Sequence, residues 1–247
     1  MSIRRTLNKS SQYTGFYNPE FYQIETPIPF DIATLSPVLW YDFSDSSTVT
    51  TSGSELTQIT DKGSAGFTLA KSSTGPSYVT GINGLNCVDF GNSSHSNFLF
   101  SNDSTSINIA EFYIVLDSSF GATFPTYNGL ITGYDSGGTA IWIIGGLSSA
   151  GLYPGSFDRA YLNGSTTDSY SSVLPTINSP CLLRVNRVNS TSLASTFGFN
   201  IGQDRTNYPR GWYGLIGEIV VFSSVLGTTD RDNVETFLAN KWGLTLS

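Results

Sequence analysis

From about residue 37 to the C-terminus the chain alternates short apolar runs with polar turns. "PVLWYDFSD" reads as a strand ending in a polar turn, and "LTQITDKGSAGFTLA" as strand, Asp-Lys-Gly turn and strand. "LNCVDFGN" and "FLFS" follow as short strands, and the near-continuous apolar run "FYIVLD" predicts a central strand. "GLITGYDSGG", "TAIWIIGG", "AYLNGS", "CLLRVNRVN", "TFGFNIGQD" and "LIGEIVVFS" continue the series, punctuated by Asn-Gly and Gly-Gly. In "CLLRVNRVN" the period of two puts Leu183 and Val185 on one face, and Leu182, Arg184 and Asn186 on the other. Turn signals about every ten residues predict an all-β sandwich, not βαβ units.

One helix stands out, over about residues 229–242. Val234, Phe237, Leu238 and Trp242 form one apolar face. Thr228 or Thr229 is the expected N-cap, Asp230 and Asp232 suit the positive helix start, Lys241 suits the last turn, and Gly243 suits the C-terminal cap.

Residues 1–36 break this rhythm. Tyr13, Phe16, Tyr17, Phe21, Tyr22 and Phe30 follow no regular period, and Pro19, Pro27 and Pro29 interrupt regular structure. A solvated linker carries few aromatics. The stretch reads as an extended docking arm that needs a surface, on its own domain or on a neighbouring subunit, ahead of one domain over 37–247. Arg4, Arg5, Tyr13, Phe16, Tyr17, Phe21 and Tyr22 are its candidate partner-docking residues.

Composition narrows the partners. Charged residues are 13% of the chain, against roughly 25% in an average domain, and the net charge is −7. No basic stripe predicts nucleic-acid binding, and no run of apolar residues is long enough for a membrane span. The opening "MSIRRTLNKSSQYTG" has no apolar signal-peptide core, so a product made in the cytoplasm of its host without a secretion signal is expected. Cys87 and Cys181 are expected to be buried free thiols.

Catalytic patterns are sparse. The only histidine, His95, sits in a polar loop, and no G-x-S-x-G elbow surrounds a serine. Glu218 looks solitary on its strand, while Asp42 and Asp45, three apart on an extended chain, should face opposite ways. The expectation is a chain with no catalytic residue, no enzymatic activity and no cofactor. Calcium needs loop oxygens, and Asp42, Asp45 and Asp61 are the weak candidates, with Asp89, Asn92 and Asp135 behind them. Tyr134, Asp135, Tyr153, Tyr208, Trp212 and Tyr213 could stack on or hydrogen-bond a sugar, though a core or interface role is the stronger reading for any single one.

Four segments, "LWYDFSDSSTVT", "ITDKGSAGFTLA", "GPSYVTGINGLNCVDFGN" and "GLIGEIVVFSSVLGTTDRDNVETFLANKWGL", resemble the concanavalin A-like (laminin-G-like) jelly-roll superfamily, in the form found in bacteriophage virion proteins. The resemblance covers about residues 37–246 and leaves out the arm. It implies a two-sheet antiparallel jelly-roll sandwich with a C-terminal helix. Such domains include lectins, glycoside hydrolases, adhesins and viral decoration domains, so the fold leaves function open. The glycosidases of the superfamily carry a Glu-x-Asp-x-x-Glu pattern that this chain lacks. The expected role is that of a virion structural protein, as a capsid decoration or a tail-fibre-associated protein at the particle surface. The arm would bind other virion proteins of capsid or tail, and the chain is expected to be a homo-oligomer, with a trimer suiting such roles. The alternative is a lectin or adhesin domain that attaches to host cell-surface glycan.

Overall fold

The computed structural model describes residues 30–71, 73–91, 99–101, 105–118, 128–134, 139–146, 152–153, 159–167, 177, 179–187, 194–196, 198–204 and 210–247. The strands of the first half are β1 Leu39–Asp42, β2 Val49–Ser52, β3 Glu55–Ile59, β4 Leu69–Lys71, β5 Ser77–Thr80, β6 Asn86–Asp89, β7 Leu99–Ser101, β8 Ile107–Ile109 and β9 Glu111–Ser118. Those of the second half are β10 Gly129–Tyr134, β11 Ala140–Gly146, β12 Leu152–Tyr153, β13 Arg159–Leu162, β14 Ser165–Thr167, β15 Cys181–Asn186, β16 Ala194–Thr196, β17 Phe199–Ile201 and β18 Gly214–Phe222. Among the described residues there is one α-helix, α1 (Thr228–Trp242), near the C-terminus. The β-rich expectation with a C-terminal helix therefore holds.

Sixteen strands join one antiparallel sheet in the order β12-β11-β10-β17-β7-β4-β3-β5-β6-β18-β9-β15-β13-β14, with β1 beside β18 and β2 beside β3. The strands thus run on as one curled antiparallel sheet, and strand pairing does not by itself divide it into the two expected sheets. β5 makes the link, because it pairs with both β3 and β6. The main core is filled from both ends of this path. Leu69, Leu99, Ile131 and Ile201 come from one end, and Phe112, Ile114, Leu183 and Ile219 from the other.

A second core lies on the opposite face of β9, β15 and β18, under α1. Tyr113, Val115, Leu182, Val220 and Phe222 meet Val234, Leu238 and Trp242 there. Burial on both faces explains the near-continuous apolar runs of β9 and β18. The split read from "CLLRVNRVN" also holds: Leu183 and Val185 enter the main core, while Leu182 faces the helix. Each fully buried large apolar side chain of α1 contributes about 1.5–3 kcal/mol. The 3-10 turn Ile32–Leu35 packs into the same layer, with Ile32 fully buried, so the folded body takes in part of the stretch assigned to the arm.

The helix N-cap is Gly227, which offers no side-chain hydrogen bond, in place of the expected Thr228 or Thr229. The C-terminal expectation holds: Gly243 has φ 64° and the Leu244 N–H donates to Ala239 O at 2.9 Å. The Asn163-Gly164 pair turns β13 into β14 with φ 49° and 83°.

Candidate functional site

The densest chemistry among the described residues sits where the C-terminal end of α1 meets β1 and β18. Register places Asp42 of β1 directly opposite Glu218 of β18. A register shift between Ile216 and Glu218 falls at Gly217. A Cβ on Gly217 would come within 2.7 Å of the Trp242 ring, so glycine lets this indole lie against the strand. Trp242 Nε1 then donates to Glu218 Oε2 at 2.7 Å, and Trp40 Nε1 donates to Oε1 at 2.7 Å. Lys241 Nζ lies 2.7 Å from Glu218 Oε2 and 2.7 Å from Asp42 Oδ1. Lys62 extends the chain of charges, 3.4 Å from Asp42 Oδ2 and 2.8 Å from Asp45 Oδ2, with its ammonium over the Trp40 ring.

Glu218 is fully buried and Asp42 nearly so. Burial, with the Asp42 charge beside it, raises the Glu218 carboxyl above its ordinary value. Burial also opposes ionisation of Asp42, but the charge and hydrogen bond of Lys241 prevail and lower it. Asp45 is brought down to about 2 by hydrogen bonds from Lys62 and Ser47. Two sequence expectations are corrected here. Glu218 is not solitary, and Asp42 and Asp45 converge on Lys62 because a turn between them ends the extended strand.

The middle of α1 is held by Arg184. Its Nε donates to Glu235 Oε1 at 2.7 Å and one terminal nitrogen to Glu111 Oε1 at 3.1 Å, with the guanidinium stacked 3.5 Å from the Tyr161 ring centroid. Glu111 also accepts from Asn186 Nδ2 and from the Leu226 N–H. The Arg184, Glu111 and Glu235 side chains lie at most 8% exposed, so this helix anchor is closed to solvent.

Asp61 organises a loop. Its Oδ1 accepts from the N–H of Trp40 and Gly63 at 2.7 Å each, and its Oδ2 from Gly66 and Phe67 at 2.9 and 3.2 Å. The loop runs along the edge of β1, with hydrogen bonds from Lys62 N to Trp40 O and from Ala65 N to Val38 O. The weak calcium candidates Asp42, Asp45 and Asp61 are thus all engaged within the chain. Their oxygens face ammonium, hydroxyl and N–H donors, which a cation would have to displace. Among the described residues no three His, Cys, Asp or Glu side chains cluster as a metal site.

Of the residues expected to meet sugar, the side chains of Tyr134, Trp212 and Tyr213 are described. Trp212 is fully buried in the main core, so its ring is closed to a ligand. Tyr134 is 9% exposed, and its hydroxyl accepts from Asn200 Nδ2 at 2.6 Å. Tyr213 is half-buried. Asp135, Tyr208 and the side chain of Tyr153 lie outside the described residues, as do His95, Asn92 and the arm residues Arg4, Arg5, Tyr13, Phe16, Tyr17, Phe21 and Tyr22. Cys87 and Cys181 are buried free thiols, as expected; burial pushes Cys87 up to about 11 and Cys181 higher still.

Two open concavities border α1. A cleft of about 330 Å³ is lined by Asn83, Asn163, Ser179, Trp242 and Thr245. A groove of about 460 Å³ on the outer side of the helix is lined by Phe30, Asn233, Thr236, Phe237, Asn240 and Lys241. Phe30 meets Phe237 edge-on there, with ring centroids 6.1 Å apart.

No family model matches the chain, and no curated protein matches it. Solved structures do. A sialidase of Trypanosoma rangeli in complex with the inhibitor DANA aligns at 9% identity and a TM-score of 0.41, over 81% of this chain and 32% of that one. The same enzyme as a covalent intermediate with 2,3-difluorosialic acid aligns at 11% identity and a TM-score of 0.38, over 85% and 34%. The chain therefore spans about a third of the length of these proteins. These neighbours are enzymes, and against them the expectation of a chain without catalytic activity does not stand. Likeness at this level carries no residue and no substrate across. No described helix is long and apolar enough to cross a membrane.

Proposed function

We propose that this chain is a virion surface protein, of the capsid-decoration or tail-associated kind. Its N-terminal arm binds other virion proteins, and its β-domain, a concanavalin A-like jelly roll, is the displayed part. The observation that carries this reading is the place where the arm joins the fold. Phe30, the first described residue, sits half-buried on the outer side of α1, at the rim of the groove beside Phe237. Among the described residues both cores are formed from Ile32 onward, with Phe30 packed against the second. The stretch before it carries Tyr13, Phe16, Tyr17, Phe21 and Tyr22, and a segment with that many aromatic side chains calls for a surface to cover them. The low charge supports the reading, since a surface rich in hydroxyls and amides suits packing in an assembly.

Deleting residues 1–29 tests it, because this spares Phe30 and the turn Ile32–Leu35. The shortened chain should keep the far-ultraviolet circular dichroism and the melting transition of the full chain. Its co-sedimentation with virus particles should fall to background. Full occupancy by the shortened chain would overturn the proposal.

A further inference from the structure

The Lys241 amine lies between two carboxyl groups, 2.7 Å from an oxygen of each. Trp40 and Trp242 wall the site, and each gives an indole N–H to one oxygen of Glu218. An ordinary ion pair needs one carboxylate. Here a nucleophile, a carboxyl group held by two N–H donors, and a second carboxylate meet in a site largely closed to water. With Lys62 and Asp45 counted, two ammonium groups face three carboxyl groups, so full ionisation would leave an excess negative charge around a carboxyl with no exposure.

We propose that Lys241 and Glu218 condense to form an intramolecular amide, with Asp42 as the proton acceptor and the indole N–H groups of Trp40 and Trp242 holding the reacting carboxyl. The step needs no oxidant or reductant. Asp42 takes one proton from the Lys241 ammonium. The freed nitrogen pair attacks Cδ of the protonated Glu218 carboxyl, and the Nζ–Cδ bond forms. The C=O electron pair moves onto Oε1, where the Trp40 N–H stabilises it as an oxyanion-hole donor does. When that pair returns, the Cδ–Oε2 bond breaks, and Oε2 leaves with its own proton and a second proton from the nitrogen, as water. The products are a secondary amide, one water and a protonated Asp42.

Contact geometry fixed by the fold supplies the proximity that such a condensation lacks in solution. The directions of titration agree with the roles: burial favours the protonated form of Glu218, while Asp42 remains ionised beside the ammonium despite its own burial. The bond would tie the last turn of α1 to β18.

Intact mass of the full chain, measured after denaturation, tests this. The expected mass is one water below that of the sequence. Trypsin should cut after Arg231 yet leave residues 211–231 joined to residues 232–247 as one branched species, uncut at Lys241. Lys241→Arg keeps the positive charge but should restore the full mass and separate the two peptides. A wild-type chain at full sequence mass would overturn the proposal, and so would loss of water that persists in Lys241→Arg.

Discussion

Replacing Arg184 with Met should destabilise the domain by about 3–5 kcal/mol, because it leaves Glu111 and Glu235 buried without their cation. Methionine fills much of the same space, so the loss reports the charge and not a cavity. The guanidinium bridges β15, β9 and α1 and stacks on Tyr161 of β13, so one side chain couples four elements. Equilibrium denaturation should show a lower midpoint with little change in slope. Glu235→Gln should cost less than Arg184→Met, since Arg184 then keeps Glu111. Near-native stability in Arg184→Met would show that the helix is held by its apolar face alone.

Asp61→Ala should cost about 3 kcal/mol or more, because four backbone N–H groups lose one shared acceptor. Asp61→Asn should fall between, as one oxygen remains. The loop cannot easily settle elsewhere: a Cβ on Gly63 would already lie 2.6 Å from Leu39 Cα, so its backbone is held tightly against β1. Hydrogen exchange should locate the effect, with protection lost first at the amides of Trp40, Gly63, Gly66 and Phe67. Asp61→Ala unfolding at the wild-type midpoint would contradict this.

Much of the fold was legible in local pattern. The alternation in "CLLRVNRVN" gave the two faces of β15, and the unbroken apolar run of β9 marked a strand buried on both sides. The apolar face of α1 and the glycine that ends it were also plain. What local pattern could not give was contact across long separations. Glu218 looked solitary because Trp40 lies 178 residues away in sequence. A signal was nonetheless present. Trp40 and Asp42 share a face by their spacing of two, and Lys241 and Trp242 stand at the end of the helix with their polar atoms in need of a partner. Trp212 is the reverse case, since local pattern left it between core, interface and sugar platform and the fold buries it. The curl of the sheet depends on β5, a short strand with both neighbours assigned only in three dimensions.

The arm is the part on which the functional account turns, and a transfer experiment reaches it most directly. Residues 1–36 fused to an unrelated soluble reporter protein should co-sediment with virus particles and compete with the full chain for the same sites. A fusion that stays in the supernatant, while the domain without its arm still decorates the particle, would contradict the account.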